Sequence, residues 1–154
     1  MQTVKMVVTG PFSAGKTQFI QSVSEIDVVA TERKISNTAE RSVKEATTVA
    51  MDFGRITVDE DLVLYLFGTP GQKRFDFMWE ILSEGMLGFV VTVDSSRPET
   101  FREARRILDT FRGYSNTPFV IAARPNSTGR HVWPSRSLCN AAHAHHPSRS
   151  GESG

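Results

Sequence analysis

The stretch that decides the fold is Gly10-Pro11-Phe12-Ser13-Ala14-Gly15-Lys16-Thr17. It fits the pattern G-x-x-x-x-G-K-[ST], whose glycines let the backbone turn so that successive amide N–H groups point inward at an anion. A β-branched run at residues 4–9 precedes the loop, and a helical pattern at residues 16–23 follows it. The helix adds its unpaired N–H groups and the positive end of its dipole. The stretch therefore predicts a phosphate-binding loop between a buried strand and a helix.

Every residue of this loop is a candidate for nucleotide binding, and two of them have a specific chemical task. The Lys16 ammonium is expected to reach the β- and γ-phosphates, and the Thr17 hydroxyl to bind Mg²⁺. The loop by itself does not separate kinases, ATPases and GTPases. The candidate binding residues are Gly10, Pro11, Phe12, Ser13, Ala14, Gly15, Lys16 and Thr17.

The remainder of the chain alternates strand-like and helix-like patterns. Strands are predicted at residues 4–9, 48–58, 62–67, 87–93 and 118–123, and helices at 16–23, at 75–82 and from 98 onward. This alternation predicts an α/β fold, a three-layer P-loop NTPase domain with a mostly parallel sheet.

Three local features carry further expectations. The polar stretch at residues 27–47 is expected to be a long connection with little core of its own. Residues 96–99 have the form of a capping box that opens the last helix. Four bulky apolar residues crowd positions 75–79, so at least one of them is expected to face outward, where it could meet a partner.

Composition excludes several classes of function. The net charge of the 154 residues is +1, which gives no indication of a nucleic-acid or anionic-membrane partner. The one cysteine excludes an intrachain disulfide. The longest apolar run, at residues 86–93, is far shorter than the roughly 20 residues that cross a bilayer. A cytoplasmic protein without a membrane partner is expected.

Two further stretches indicate which class of P-loop protein the sequence resembles. T-V-A-M-D-F at residues 48–53 and G-T-P-G-Q-K-R-F at residues 68–75 resemble the switch I threonine segment and the D-x-x-G-Q-x-R-F switch II segment of small Ras-like GTPases. The closest resemblance is to bacterial Ras-like GTPases of gliding-motility and multicomponent-signalling systems, which work with Roadblock-type partners. It covers residues 4–123. The resemblance implies a switch that binds GTP or GDP with Mg²⁺, hydrolyses GTP slowly and signals through two switch segments.

The resemblance also implies roles for individual residues. Thr48 would bind Mg²⁺ and sense the γ-phosphate, the Gly71 amide would bind the γ-phosphate, and Gln72 would orient the attacking water. The alternatives are a strand-starting threonine at Thr48, with Thr47 as a competing candidate, and an exposed loop amide at Gln72.

Two positions depart from the family pattern. Gly68 stands where most of the family has the aspartate that steadies Mg²⁺, so weaker metal binding is expected, together with its recovery in Gly68→Asp. Phe12 stands where Ras has glycine, and its ring could restrict access to the γ-phosphate. These departures keep a second hypothesis open, a non-hydrolysing pseudo-GTPase that acts as a nucleotide-dependent binding module.

The amino-acid composition changes at the position where the family has its guanine-binding N-K-x-D motif. Arg-Pro-Asn-Ser stands at residues 124–127 instead, and a Ser-, His-, Arg- and Pro-rich segment follows. Residues 1–123 are therefore expected to form an incomplete Ras-like domain that lacks its last strand and helix, and residues 124–154 a disordered tail. The sequence leaves open a shifted reading frame and a genuine divergent or truncated variant. For the function, a defective fragment is a further alternative.

Overall fold

The computed structural model describes residues 1–35, 47–70 and 76–125, and for residues 29–35 and 47–50 it describes the backbone. A 3₁₀ turn at Pro98–Thr100 leads into the last helix. The strands and helices, in chain order, are β1 (Gln2–Thr9), α1 (Lys16–Val23), β2 (Val29–Ile35), β3 (Thr47–Asp59), β4 (Leu62–Gly68), α2 (Phe77–Ser83), β5 (Gly88–Asp94), α3 (Phe101–Tyr114) and β6 (Phe119–Arg124).

The strands form one six-stranded sheet in the order β2-β3-β4-β1-β5-β6. β1 lies parallel to β4 and β5, and β5 lies parallel to β6. β2 and β3 pair antiparallel, as do β3 and β4, which form the predicted hairpin. Every residue of β5 is buried, as expected for a parallel strand covered on both faces. The predicted α/β fold with a mostly parallel sheet is confirmed.

The strand β2 was missed by the sequence patterns. It occupies Val29–Ile35, inside the stretch that was expected to be a connection, so that expectation is wrong for these residues. Its sequence, V-A-T-E-R-K-I, is rich in charged residues and lacks a clear apolar face. β2 is an edge strand that pairs with β3 through the backbone, with Val29 opposite Phe53 and Ile35 opposite Thr47. Backbone pairing at an edge does not require an apolar sequence.

The helices cover both faces of the sheet and create two apolar cores. Successive residues of a strand point to opposite faces, so Val7 joins one core and Val8 the other. The larger core lies under α2 and α3, and the smaller one under α1, where Ile20 packs. This division gives the three layers that the alternating pattern predicted.

The helix α3 forms as predicted, but its N-terminus is built differently. Its apolar stripe is buried at Phe101, Ala104, Ile107, Leu108 and Phe111. The predicted capping box is wrong, because the Ser96 hydroxyl donates to Asp94 Oδ1 at 2.5 Å. The N-cap residues of the 3₁₀ turn and of α3 are Arg97 and Thr100, and neither makes a side-chain capping hydrogen bond.

The helix α2 confirms the expectation of an outward-facing apolar residue. Trp79 is buried in the larger core, whereas Phe77 is 51% exposed and Ile81 63% exposed. α2 begins at Phe77, and residues 71–75 of the predicted switch II segment lie outside the described residues.

The C-terminal segment is described only at its start. β6 runs to Arg124, one residue further than predicted, and the expected tail from residue 126 onward lies outside the described residues. Within the described ranges, no helix has the length and apolar content to cross a membrane.

Candidate nucleotide-binding site

The loop at residues 10–17 follows β1, at the edge of the sheet where all the parallel strands end. Ligands bind at this carboxyl edge in open α/β sheets. Gly10 has φ +147° and Gly15 has φ +91°, and Ser13 is a non-glycine residue with φ 61°. A Cβ at Gly10 would lie 2.4 Å from the Thr92 carbonyl oxygen, so only glycine fits there. The backbone therefore turns as the loop pattern predicted.

Three buried threonines join the strands beneath the loop. The Thr69 hydroxyl donates to the Thr9 hydroxyl at 3.0 Å, and the Thr92 hydroxyl donates to the Thr9 carbonyl at 3.2 Å. The Thr69 amide also donates to the Val8 carbonyl at 2.9 Å. These bonds connect β1, β5 and the residue that follows β4. No sequence pattern identified the network, because its members are distant in the chain and threonine is common at strand ends.

Lys16 lies over the loop. Its Nζ donates to the carbonyls of Gly10 at 2.9 Å and of Pro11 at 2.8 Å, and the residue is only 8% exposed. Burial lowers the pKa of Lys16 from 10.5 to about 8, an effect that the charges of Asp52 and Glu103 partly oppose. The lysine is therefore mainly protonated at neutral pH, and its ammonium group is held as a cation against the loop backbone.

The second polar contact joins α1 to β3. The Thr17 hydroxyl donates to Asp52 Oδ2 at 2.5 Å. Phe53 of β3 pairs with Phe67 of β4, so Asp52 is opposite Gly68. The sequence identified Thr17 as a candidate site residue but did not identify Asp52. The available signal for Asp52 was a carboxylate between apolar residues of a predicted strand.

This contact changes the interpretation of Gly68. A Cβ at Gly68 would lie 3.0 Å from Asp52 Cβ and 3.0 Å from Ile20 Cδ1. The expectation that Gly68→Asp improves metal binding assumed that the position supporting the metal ion is vacant. That premise does not hold, because a second carboxylate would lie against Asp52 and repel it.

We expect Gly68→Ala to lower the free energy of unfolding by about 1–3 kcal/mol, since the added methyl group enters a filled space. Thermal melting of the nucleotide-free protein measures this change. Gly113→Ala is the matched control, because in the described part of the chain a Cβ at Gly113 meets no atom within 4 Å apart from its chain neighbours and the backbone of its own helix. Alanine in that helical position is expected to stabilise by roughly 0.5–1 kcal/mol. A Gly68→Ala protein as stable as the parent contradicts the packing argument.

The oxygen atoms at Thr17 and Asp52 fit a magnesium ion. Mg²⁺ is a hard cation that takes oxygen ligands, and it is bound through one or two protein groups together with waters and phosphates. Within residues 1–35, 47–70 and 76–125, no group of three or more His, Cys, Asp and Glu side chains could hold a metal ion. Thr17 is the candidate protein ligand that the sequence identified for such an ion.

The remaining predicted site residues are not brought together by the described structure. Gly71 and Gln72 lie outside the described residues. Thr48 is in β3, where it pairs with Lys34, four residues before Asp52. At about 3.3 Å per strand residue, its Cα is roughly 13 Å along the strand from that of Asp52. The roles of these three residues remain predictions.

Phe12 projects outward from the loop. Its side chain is 63% exposed, whereas the neighbouring Ala14 is buried. The ring therefore lies at the surface of the loop, and its effect on access to a γ-phosphate remains a prediction.

A cavity of about 200 Å³ lies beside the loop, between α1 and the end of β6. Arg124 Nη1 donates to Gln18 Oε1 at 3.3 Å, and Gly15 also lines the cavity. The Arg124 carbonyl accepts a hydrogen bond from the Ser95 hydroxyl at 2.6 Å. Arg124 thus stands next to the phosphate loop, at the start of the stretch where the family motif for the base was expected.

The Gly10–Thr17 loop, at the carboxyl edge of this sheet, defines a P-loop NTPase-like domain. The chain belongs to the family of conserved hypothetical ATP-binding proteins, whose sequence profile matches residues 8–123.

Two curated relatives extend the comparison. An uncharacterized protein of Methanocaldococcus jannaschii is 34% identical over 94 residues, which cover 61% of this chain and 53% of the relative. A Ras-related protein of Arabidopsis thaliana is 23% identical over 127 residues, which cover 80% of this chain and 51% of the relative. The chain spans about half the length of these relatives. Together, the family and the Ras-related protein support a P-loop, GTPase-like, nucleotide-binding protein.

Proposed function

We propose that the protein is a GTP-binding molecular switch that hydrolyses GTP slowly with Mg²⁺ and signals through its two switch segments. The observation that carries the proposal is the Lys16 ammonium, held between the carbonyls of Gly10 and Pro11 at the carboxyl edge of the sheet. Among the described residues, the hydrogen bonds of this buried cation go to backbone carbonyls and not to a carboxylate, so it is suited to an anionic ligand. The loop amides and the N-terminus of α1 supply further donors to the same place.

Each residue has a defined task in this proposal. Lys16 neutralises charge on the β- and γ-phosphates, and Thr17 holds the metal ion with its hydroxyl. A bound Mg²⁺ supplies charge neutralisation at the phosphates and fixes their orientation. The Gly71 amide contacts the γ-phosphate, Gln72 positions the attacking water, and Thr48 reports the presence of the γ-phosphate.

Two observations point to different nucleotide bases. The family description names ATP, whereas the resemblance of the switch segments implies GTP. Displacement of a fluorescent guanine nucleotide by unlabelled ATP and by unlabelled GTP, each with Mg²⁺, compares the two bases directly. Stronger displacement by GTP supports the proposal, and stronger displacement by ATP shows an adenine-nucleotide protein instead.

The second candidate function is a pseudo-GTPase that binds nucleotide without hydrolysing it. The bulky ring of Phe12, which lies exposed at the loop surface, favours this alternative. Phosphate release in a single turnover distinguishes the two functions. A measurable rate, alone or with a partner protein, supports the switch, and no release supports the binding module.

We expect Gln72→Leu to slow hydrolysis by about 100-fold, because misplacing a reacting group by 1 Å can cost that factor. Nucleotide affinity is expected to stay within about twofold, since the task of Gln72 arises in the transition state. Single-turnover hydrolysis and nucleotide titration measure the two quantities. Gln21→Leu, at an exposed position of α1, is the control for the loss of a glutamine amide. If Gln72→Leu and the parent hydrolyse GTP at the same rate, Gln72 has no role in the mechanism.

A Roadblock-type protein at the switches is part of the same proposal, implied by the family resemblance. The apolar surface formed by Phe77 and Ile81 follows the switch II segment directly and is suited to a protein contact. Acceleration of phosphate release by such a protein tests this partner. An unchanged rate and no measurable binding reject it.

A further inference from the structure

The position opposite Gly68 already holds a carboxylate. Thr17 and Asp52 are 35 residues apart in the chain, yet their side chains meet at 2.5 Å. The resemblance places the metal-supporting acid at the end of β4, where this chain has Gly68. In the structure, the carboxylate is that of Asp52 in β3, which lies opposite Gly68 and accepts a hydrogen bond from the Thr17 hydroxyl.

Two glycines make this arrangement possible. A Cβ at Gly54 would lie 2.6 Å from Ile20 Cγ2, and a Cβ at Gly68 would lie 3.0 Å from Ile20 Cδ1. Without side chains at these positions, α1 can lie close to β3 and β4. The close approach brings Thr17, in the first turn of α1, within hydrogen-bond distance of Asp52.

The direction of the hydrogen bond matters for metal binding. A threonine hydroxyl has one hydrogen to donate and two lone pairs to offer. The hydrogen is donated to Asp52, so the lone pairs remain for a cation. Groups that hydrogen-bond to a metal ligand orient it and increase its basicity, and a carboxylate adds negative charge near the cation.

We propose that Asp52 is the positioning residue of the magnesium site and performs the task that the family assigns to the position of Gly68. It holds the Thr17 hydroxyl with its lone pairs directed away from β3, and its charge favours a divalent cation beside the phosphates. This inference rests on the proposed nucleotide-binding function.

The test is the Mg²⁺ dependence of nucleotide affinity in Asp52→Asn. The amide keeps the size of the side chain and an oxygen that accepts from Thr17, but it lacks the charge. With a fluorescent nucleotide, the Mg²⁺ concentration at half-maximal binding is expected to rise about 10–100-fold. In excess EDTA, the affinity is expected to be unchanged or higher, because a negative charge near the phosphates has been removed.

Two further variants sharpen the test. Asp61→Asn changes an exposed carboxylate in the β3–β4 turn and should behave like the parent. The double variant Asp52→Gly/Gly68→Asp moves the carboxylate across to β4. We expect it to recover at least part of the Mg²⁺ dependence that Asp52→Asn loses.

The outcomes separate the inference from the proposed function. An unchanged Mg²⁺ midpoint in Asp52→Asn overturns the inference, and so does an equal loss of affinity in Mg²⁺ and in EDTA, which indicates a structural role. In both cases the proposed function stands, because the parent still binds nucleotide. A parent protein that binds neither labelled GTP nor labelled ATP removes the function and the inference together.

Discussion

Lys16→Ala is expected to reduce nucleotide affinity by about 100-fold or more while leaving the fold intact. A hydrogen bond to a charged group contributes roughly 1.5–3 kcal/mol, and the upper end of that range corresponds to more than a factor of 100. The fold should persist because Lys16 contacts loop carbonyls and not the apolar cores. Titration with a fluorescent nucleotide measures the affinity, and circular dichroism measures the fold.

Lys5→Ala is the matched control for this substitution. Lys5 lies in β1, the strand that leads into the loop, and its Nζ donates to the Glu84 carbonyl away from the site. It should bind nucleotide like the parent. If Lys16→Ala and Lys5→Ala have the same affinity, the loop is not the phosphate site and the proposed function loses its basis.

Phe111→Ala is expected to lower the free energy of unfolding by about 3–5 kcal/mol, the usual cost of removing a buried aromatic ring. Phe111 is fully buried, and its ring centroid lies 5.6 Å from that of Trp79 and 5.4 Å from that of Phe89. The ring thus joins α2, α3 and β5 in the larger core. For a domain of this size, the melting temperature should fall by roughly 10–20 °C.

Phe77→Ala removes the same side chain from an exposed position in α2. Its effect on the melting temperature should be small, because half of that ring is already in contact with water. Equal destabilisation by the two variants is inconsistent with the core described for α2 and α3. Adding nucleotide to each variant should raise its melting temperature if the site remains intact.

Most of the helices and strands could be predicted because each has a local signal. The loop pattern placed β1 and α1, and the bounds predicted for α1, residues 16–23, agree with the structure. The stripe from Phe101 to Phe111 identified α3 because a buried helix face repeats about every 3.6 residues. β2 has no comparable signal, since an edge strand of charged residues is held by the backbone of β3. The capping box failed because Ser96 bonds to Asp94, a competing partner two residues away.

The sequence by itself determined that this chain has a phosphate loop followed by a helix, with Lys16 and Thr17 at the start of that helix. Only the tertiary structure decided which carboxylate meets Thr17. Spacing along a chain specifies which side chains share a helix or strand face, but not which strand lies beside which helix. The pairing of β3 with β4, and the close approach of α1 over Gly54 and Gly68, brought Asp52 to the loop from 35 residues away.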